Sequence, residues 1–287
     1  MSQFLMKPKI DFAFKEIMAD EKARTGFLSA VLHLDPADIR ETRILNSFLR
    51  KVHEDDKLGI LDVRILMNDD MEIDTEIQLS KLNVWADRSL FYVAKMFTEQ
   101  IEEGQKYDVL KKCVNISILD FVLFQGEPEF YSCFHLLEDT RHFLYTDKME
   151  FHVIELPKLP AGPVEGCTEL ELWAKFINAE RKEEFDMLAE KNPYIDSAYK
   201  QLQVISQDQR MRMEYEAREK AVRDYNQGMY EAEQRGERRG REEGQRLGRE
   251  EGQRLSRESI AKNMLSLGLS AETIFQATGV HVDQIRN

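Results

Sequence analysis

Apolar and polar positions alternate most regularly over residues 60–80, ILDVRILMNDDMEIDTEIQLS. Two apolar-rich runs flank Asn68-Asp69-Asp70. In the second run Glu72, Asp74, Glu76 and Gln78 occupy alternate positions, and Ile73, Thr75, Ile77 and Leu79 occupy the others. Strand residues two apart share a face, so this run predicts a strand with one acidic and one apolar side. The apolar sets of the two runs face the same way only if the connection has an odd number of residues. A three-residue loop pairs Met67 with Met71, Ile65 with Ile73 and Val63 with Thr75. It also sets Asp62 opposite Glu76 on the other face, with Gln78 beside them. Converging carboxylates suit a hard, oxygen-preferring cation such as magnesium. Such an ion can activate water and stabilise charge on a phosphate. The same pattern also fits a polar sheet face under solvent.

The other elements follow from spacing. Residues 11–34 predict one helix closed by Asp35-Pro36. Residues 83–103 predict a long helix with Leu90, Ala94, Phe97 and Ile101 as its core stripe and Gly104 as C-cap. Arg88, Tyr92, Lys95 and Glu99 form a second, polar stripe. Residues 113–124 are nearly continuously apolar, which predicts a central strand covered on both faces. Residues 129–137 and 149–156 predict two more strands, and Pro157 to Gly166 a loop. Thr168 with Glu171 fits a capping box ahead of a helix containing Leu172, Trp173, Phe176 and Ile177. Helical character resumes near Tyr194. This order predicts an α/β sheet with helices packed around it, its core within residues 1–190.

From residue 235 to 258 glycine recurs at 236, 240, 244, 248 and 252 among Arg and Glu. Five such glycines weaken an isolated helix by about 5 kcal/mol. Its Glu/Arg pairs return only about 0.2–0.5 kcal/mol each. The segment reads as a solvated, partly helical spacer, or as a small-residue stripe packed on a partner helix. Apolar periodicity returns over residues 259–287, with Ser270 as a plausible N-cap. That end is similar to a helix-turn-helix whose last helix is very short, and it reads preferentially as a small helical cap. The divisions are therefore 1–190, a helical extension 191–234, the charged spacer 235–258, and the cap 259–287.

At 287 residues, 42% of them hydrophobic, the chain can bury a sizeable core. Its net charge of −13 argues against a basic coat for nucleic acid but is compatible with a site built of carboxylates. Cys113, Cys133 and Cys167 have no metal-ligand spacing, and they read as reduced residues of a cytoplasmic protein. The six histidines (33, 53, 135, 142, 152 and 281) lack HxxxH spacing and read as structural or surface groups. No run approaches membrane-span or signal-peptide length, so no membrane partner is expected. Phosphate-loop, nucleophile-elbow and dinucleotide signatures are absent.

Asp62 followed by Glu76-Ile77-Gln78 resembles the PD-(D/E)-x-K phosphodiesterase pattern, with glutamine in place of lysine and Leu61 in place of proline. Five further stretches sharpen the resemblance: residues 11–15, 88–92, 104–107 and 151–158, and the glycine-punctuated tail. Together they resemble the recombination-promoting nuclease and transposase group of that superfamily over nearly the whole chain. The resemblance implies a restriction-endonuclease-like fold, a mixed four-stranded core sheet flanked by helices, with a charged helical C-terminal extension. It implies a metal-dependent DNA endonuclease linked to recombination or mobile elements. Asp62, Glu76 and the Ile77 carbonyl would bind Mg2+ (Mn2+ or Ca2+ as alternatives), and Gln78 would position water. Arg88, Tyr92 and Lys95 would line the DNA side of the cleft, although a solvated helix face fits them as well. Asp11 and Lys15 would support the site from the first helix. A homodimer would serve a duplex cut. Glutamine carries no charge and cannot act as a base. Slow cleavage, or an idle nuclease-fold module for DNA binding or assembly, is the alternative.

Overall fold

The computed structural model describes residues 4–49 and 61–285. The expected strand start at Ile60, and His53, lie outside them. The chain divides into two compact units, Met1–Arg223 and Asp224–Asn287.

The first unit is built on a six-stranded mixed sheet. Its strands are β1 (Thr42–Ile44), β2 (Val63–Met67), β3 (Met71–Gln78), β4 (Lys112–Leu119), β5 (Tyr131–Leu137) and β6 (Leu144–Glu155). Their spatial order is β1-β2-β3-β4-β6-β5. β3, β4 and β6 are parallel neighbours, and β2, β1 and β5 join antiparallel. The mixed core of β2, β3, β4 and β6 is thus extended by one antiparallel strand at each edge, three residues long in β1 and seven in β5. The helices are α1 (Asp11–Ala19), α2 (Glu21–Leu32), α3 (Trp85–Thr98), α4 (Glu169–Asn178), α5 (Lys182–Lys191), α6 (Pro193–Gln207), α7 (Gln209–Ser266) and α8 (Ala271–Thr278). This is a restriction-endonuclease-like arrangement.

The β2–β3 hairpin has the expected register, Met67 with Met71, Ile65 with Ile73 and Val63 with Thr75. Its loop places Asn68 and Asp69 at positive φ (52° and 62°), which these residue types tolerate better than most. Asn68 also donates to Asp38 O and accepts from Arg40 N–H, which pins the turn. Ile73, Thr75 and Ile77 point into the main core. Phe14, Phe27, Trp173, Phe176 and Phe185 fill that core in a chain of edge-on ring contacts.

Several boundaries differ from the sequence reading. The single helix expected over residues 11–34 is two helices, because Asp20 is extended and caps α2 by accepting from Ala23 N–H. The helix expected over 83–103 ends at Thr98. There the Gln100 side chain accepts from Lys111 N–H and donates to Cys113 Sγ, turning the chain toward β4. Gly104 lies farther on, at φ +87° in a turn closed by Gln105 N–H and Glu102 O. The apolar run over 113–124 leaves the sheet after Leu119, where Leu123 and Phe124 N–H donate to Glu155 Oε1. β4 is central, as its continuous apolar character predicts. β1 and α5 were not foreseen.

In the second unit the helical run includes residues 235–258, so the spacer is helical throughout. Beyond the helix's own backbone and the adjoining residues, nothing lies within 4 Å of the position a Cβ would take at the five periodic glycines. Ser270 accepts from Thr273 N–H as the N-cap of α8, and Gly279 closes it at φ +70°. Ala261, Ile274, Val282 and Ile285 form a small core of their own. Among the described residues, a 3-10 turn, Val282–Gln284, follows α8.

Gly26 on α2 is required by close approach. A Cβ there would lie 2.1 Å from Tyr194 Cβ on α6. Gly26→Ala is expected to destabilise the first unit by about 1–3 kcal/mol, because the clash meets a side-chain root rather than a flexible tip. A urea titration checks this; an unchanged midpoint contradicts the packing.

Candidate active site

The acidic side of β3 lies under α3. The register sets Glu72 beside Cys113, Asp74 beside Asn115, Glu76 beside Ser117 and Gln78 beside Leu119 of β4. Asp74 and Glu76 are buried, and Asp62 and Gln78 are half-buried. Asp62 precedes β2 and reaches across, its Oδ2 accepting from Ile77 N–H at 3.1 Å. The hairpin therefore brings Asp62 to the level of Glu76 and Gln78.

A side-chain relay holds Asp74. Trp85 Nε1 donates to Ser117 Oγ (2.9 Å), Ser117 Oγ donates to Asn115 Oδ1 (2.7 Å), and Asn115 Nδ2 donates to Asp74 Oδ2 (2.9 Å). Arg88 of α3 lies 3.5 Å from Glu76 Oε2, an ion pair without hydrogen-bond geometry. Its guanidinium also sits 5.1 Å from the Tyr92 ring and 5.5 Å from the Trp85 ring. At the far end of the same face Arg64 pairs with Glu72 (2.7 Å) and with Glu99 (3.4 Å).

Burial pushes all three carboxyls above the ordinary range. For Asp62 burial is opposed by the hydrogen bond from Ile77. For Asp74 burial is opposed by the hydrogen bond from Asn115 and reinforced by Asp62. For Glu76 burial is reinforced by the charges of Asp74 and Asp62 and only partly offset by Arg88. The nearby cations, Arg88, Arg64 and Lys15, offset these effects only in part.

Asp74 Oδ1 and Glu76 Oε1 are buried and accept no hydrogen bond. Orphaned, buried carboxylate oxygens are costly unless a cation satisfies them. The donor set is all oxygen, which fits a hard divalent ion. Asp62, Asp74 and Glu76 are not drawn together into a group of three donor atoms within 4.8 Å.

The sequence-derived residues divide as follows. Asp62 bonds Ile77 N–H at the level of Glu76 and Gln78, and Arg88 lies against Glu76. Gln78 Nε2 donates to Ser80 O at 2.9 Å. Asp11 and Lys15 on α1 act on Asp62 through their charges, in opposite directions. Tyr92 departs from the expected DNA-facing stripe: it is 5% exposed, because α3 turns its polar stripe toward the acidic strand. Lys95 stands 5.9 Å over the ring of Phe91. The expected core stripe is correspondingly displaced: Leu90 is 53% exposed, and Trp85, Ser89, Tyr92, Val93 and Met96 are buried instead. Asp74, Asn115, Ser117 and Trp85 were not anticipated. Alternation alone places Asp74 with Glu76, but its partners depend on the β3–β4 register.

With this geometry in hand, a family model described as PD-(D/E)XK nuclease family transposase matches residues 8–232. No curated protein and no solved structure matches the chain.

A carboxyl raised on folding contributes stability that is full below its ordinary value and is lost as pH rises through its folded value. With divalent ions chelated, Asp74 therefore weakens the fold progressively above the ordinary carboxylate range. Asp74→Asn is expected to melt higher than wild type at pH 8 and to show a flatter decline from pH 5 to 8. Parallel melting curves for the two proteins across that range contradict this.

Proposed function

The chain belongs to the PD-(D/E)XK nuclease family of transposases, and from that premise we propose that it is a divalent-metal-dependent DNA endonuclease acting in recombination or mobile-element biology. The observation that carries the reading is the pair of orphaned oxygens on Asp74 and Glu76 beside Asp62. Asp62 and Glu76, with the Ile77 carbonyl, would hold the cation, and Asp74 adds a third carboxylate. Magnesium suits this donor set best, with manganese or calcium as substitutes. When bound, the ion lowers the pKa of coordinated water and stabilises charge on the scissile phosphate.

The chain's own groups supply the rest. Gln78 commits its amide N–H to Ser80 O, which leaves its carbonyl oxygen to accept from, and so orient, an attacking water. Arg88 lies against the Glu76 carboxylate and favours its ionised form, partly offsetting burial. Asp11 and Lys15 tune the charge around Asp62. Lys95 and the exposed end of Arg88 are the cations offered to a DNA backbone. No helix among the described residues is long and apolar enough to cross a membrane. A duplex substrate needs two cleavage events, which a homodimer provides.

A second reading is an idle nuclease-fold module that binds DNA or assembles without cutting. It is favoured by the burial of Glu76 under α3 and by the neutral Gln78 where lysine would supply positive charge.

Magnesium-dependent nicking of supercoiled plasmid distinguishes the two. Wild type is expected to cut slowly, and Asp62→Ala and Glu76→Ala to lose at least about 100-fold in rate, the scale of a lost electrostatic stabiliser. Equal cleavage by wild type and Asp62→Ala removes the endonuclease assignment. Failure to bind magnesium or manganese by isothermal titration, with DNA present, selects the idle module.

A further inference from the structure

The opposite face of the same sheet carries a second group of donors. β5 and β6 pair antiparallel with Cys133 beside His152 and His135 beside Glu150. Residues 133 and 135, and 150 and 152, lie two apart on their strands, so all four side chains share one face. Ligand atoms of Cys133, Glu150 and His152 lie within 4.8 Å of one another. Cys133 Sγ is 3.9 Å from both Glu150 Oε1 and His135 Nδ1. His135 Nε2 is 3.2 Å from Glu150 Oε2, and His152 Nε2 is 2.7 Å from Glu150 Oε1.

The state of His152 is the second, independent observation. Its ring is 1% exposed, and its Nε2 makes no hydrogen bond despite the short approach to Glu150. Tyr131 Oη lies 2.8 Å from His152 Nδ1 and 3.3 Å from Val31 O, to which it can donate. Nε2 faces Glu150 Oε1, and a metal on Nε2 requires the imidazole proton on Nδ1, where Tyr131 Oη can accept it. A partner on the far nitrogen that fixes the tautomer is the usual support for a metal-binding imidazole.

We propose that Cys133, His135, Glu150 and His152 form a tetrahedral site for a borderline-soft divalent metal of the zinc class, separate from the all-oxygen site on the other face. The donor set is one thiolate, two neutral imidazoles and one carboxylate, with two negative charges against two positive. Zinc takes four such ligands, whereas magnesium prefers oxygen and water. On coordination the Cys133 thiol gives its proton to solvent. The Lys112 ammonium now pairs with Glu150 Oε2, and it gives up part of that contact. Cys133 and His135 lie on the edge strand, next to its register irregularity at His135/Leu136. A metal there ties this edge to β6.

The test uses the full chain stripped with chelator and titrated with Co2+ or Zn2+ in excess Mg2+. One equivalent of Co2+ is expected to bind with thiolate-to-cobalt absorption. Cys133→Ser is expected to abolish that absorption, and His135→Ala to weaken binding by about 100-fold. Asp62→Ala is expected to leave both unchanged. Zn2+ is expected to shield Cys133 of the wild-type protein from alkylation, a readout that needs no variant. Absence of the absorption and of shielding overturns the site and leaves an ion-pair cluster. Unchanged affinity in Cys133→Ser overturns it as well.

Discussion

The architecture depends on the two-sidedness of β3. Ile73, Thr75 and Ile77 are locked into the aromatic core beneath the sheet, and that lock fixes where every intervening acid points. A slip of one residue would drive Glu72, Asp74 and Glu76 into that core and expose the isoleucines. Each unpaired carboxylate so buried costs several kcal/mol even after relaxation. Hydrophobic packing on one side thus places the acids on the other, and the parallel register with β4 adds Asn115 and Ser117 beneath them.

The two faces of the sheet consequently carry different chemistry. The face under α3 presents oxygen donors, amides and hydroxyls, with apolar packing limited to small clusters around Trp85 and Tyr92. The opposite face is mostly apolar core, interrupted near the β5 edge by thiol, imidazole and carboxylate. Hard and soft donor groups are separated by the thickness of one sheet, and they differ in the cations they suit.

α3 shows how far a partner surface can override a helical pattern. Its residues offer two stripes, one apolar through Leu90 and one polar through Arg88. Against an ordinary core the apolar stripe would turn inward. Here the neighbour is a strand face with excess negative charge, so Arg88 turns toward Glu76 and Glu99 toward Arg64, while Leu90 faces outward. The same rotation buries Trp85, Tyr92, Val93 and Met96, so apolar packing and the satisfaction of the acids favour one orientation at the expense of Leu90.

Local periodicity and turn chemistry, which act over a few neighbours, were legible in the chain itself. They determined the hairpin register through its three-residue loop, the central position of β4, the Thr168/Glu171 capping box, and the placement of Asp62 beside Ile77 at the level of Glu76. Long-range pairing decided the rest. Whether α3 turned Arg88 or Leu90 inward depended on the charge of a strand beneath it. Asp74 gained its relay because β4 is parallel and in register, and Cys133 met His152 because β5 folds back on β6. Spacing along the chain cannot encode those meetings, since the residues involved lie 41 and 19 positions apart and become neighbours only when the sheet closes them together.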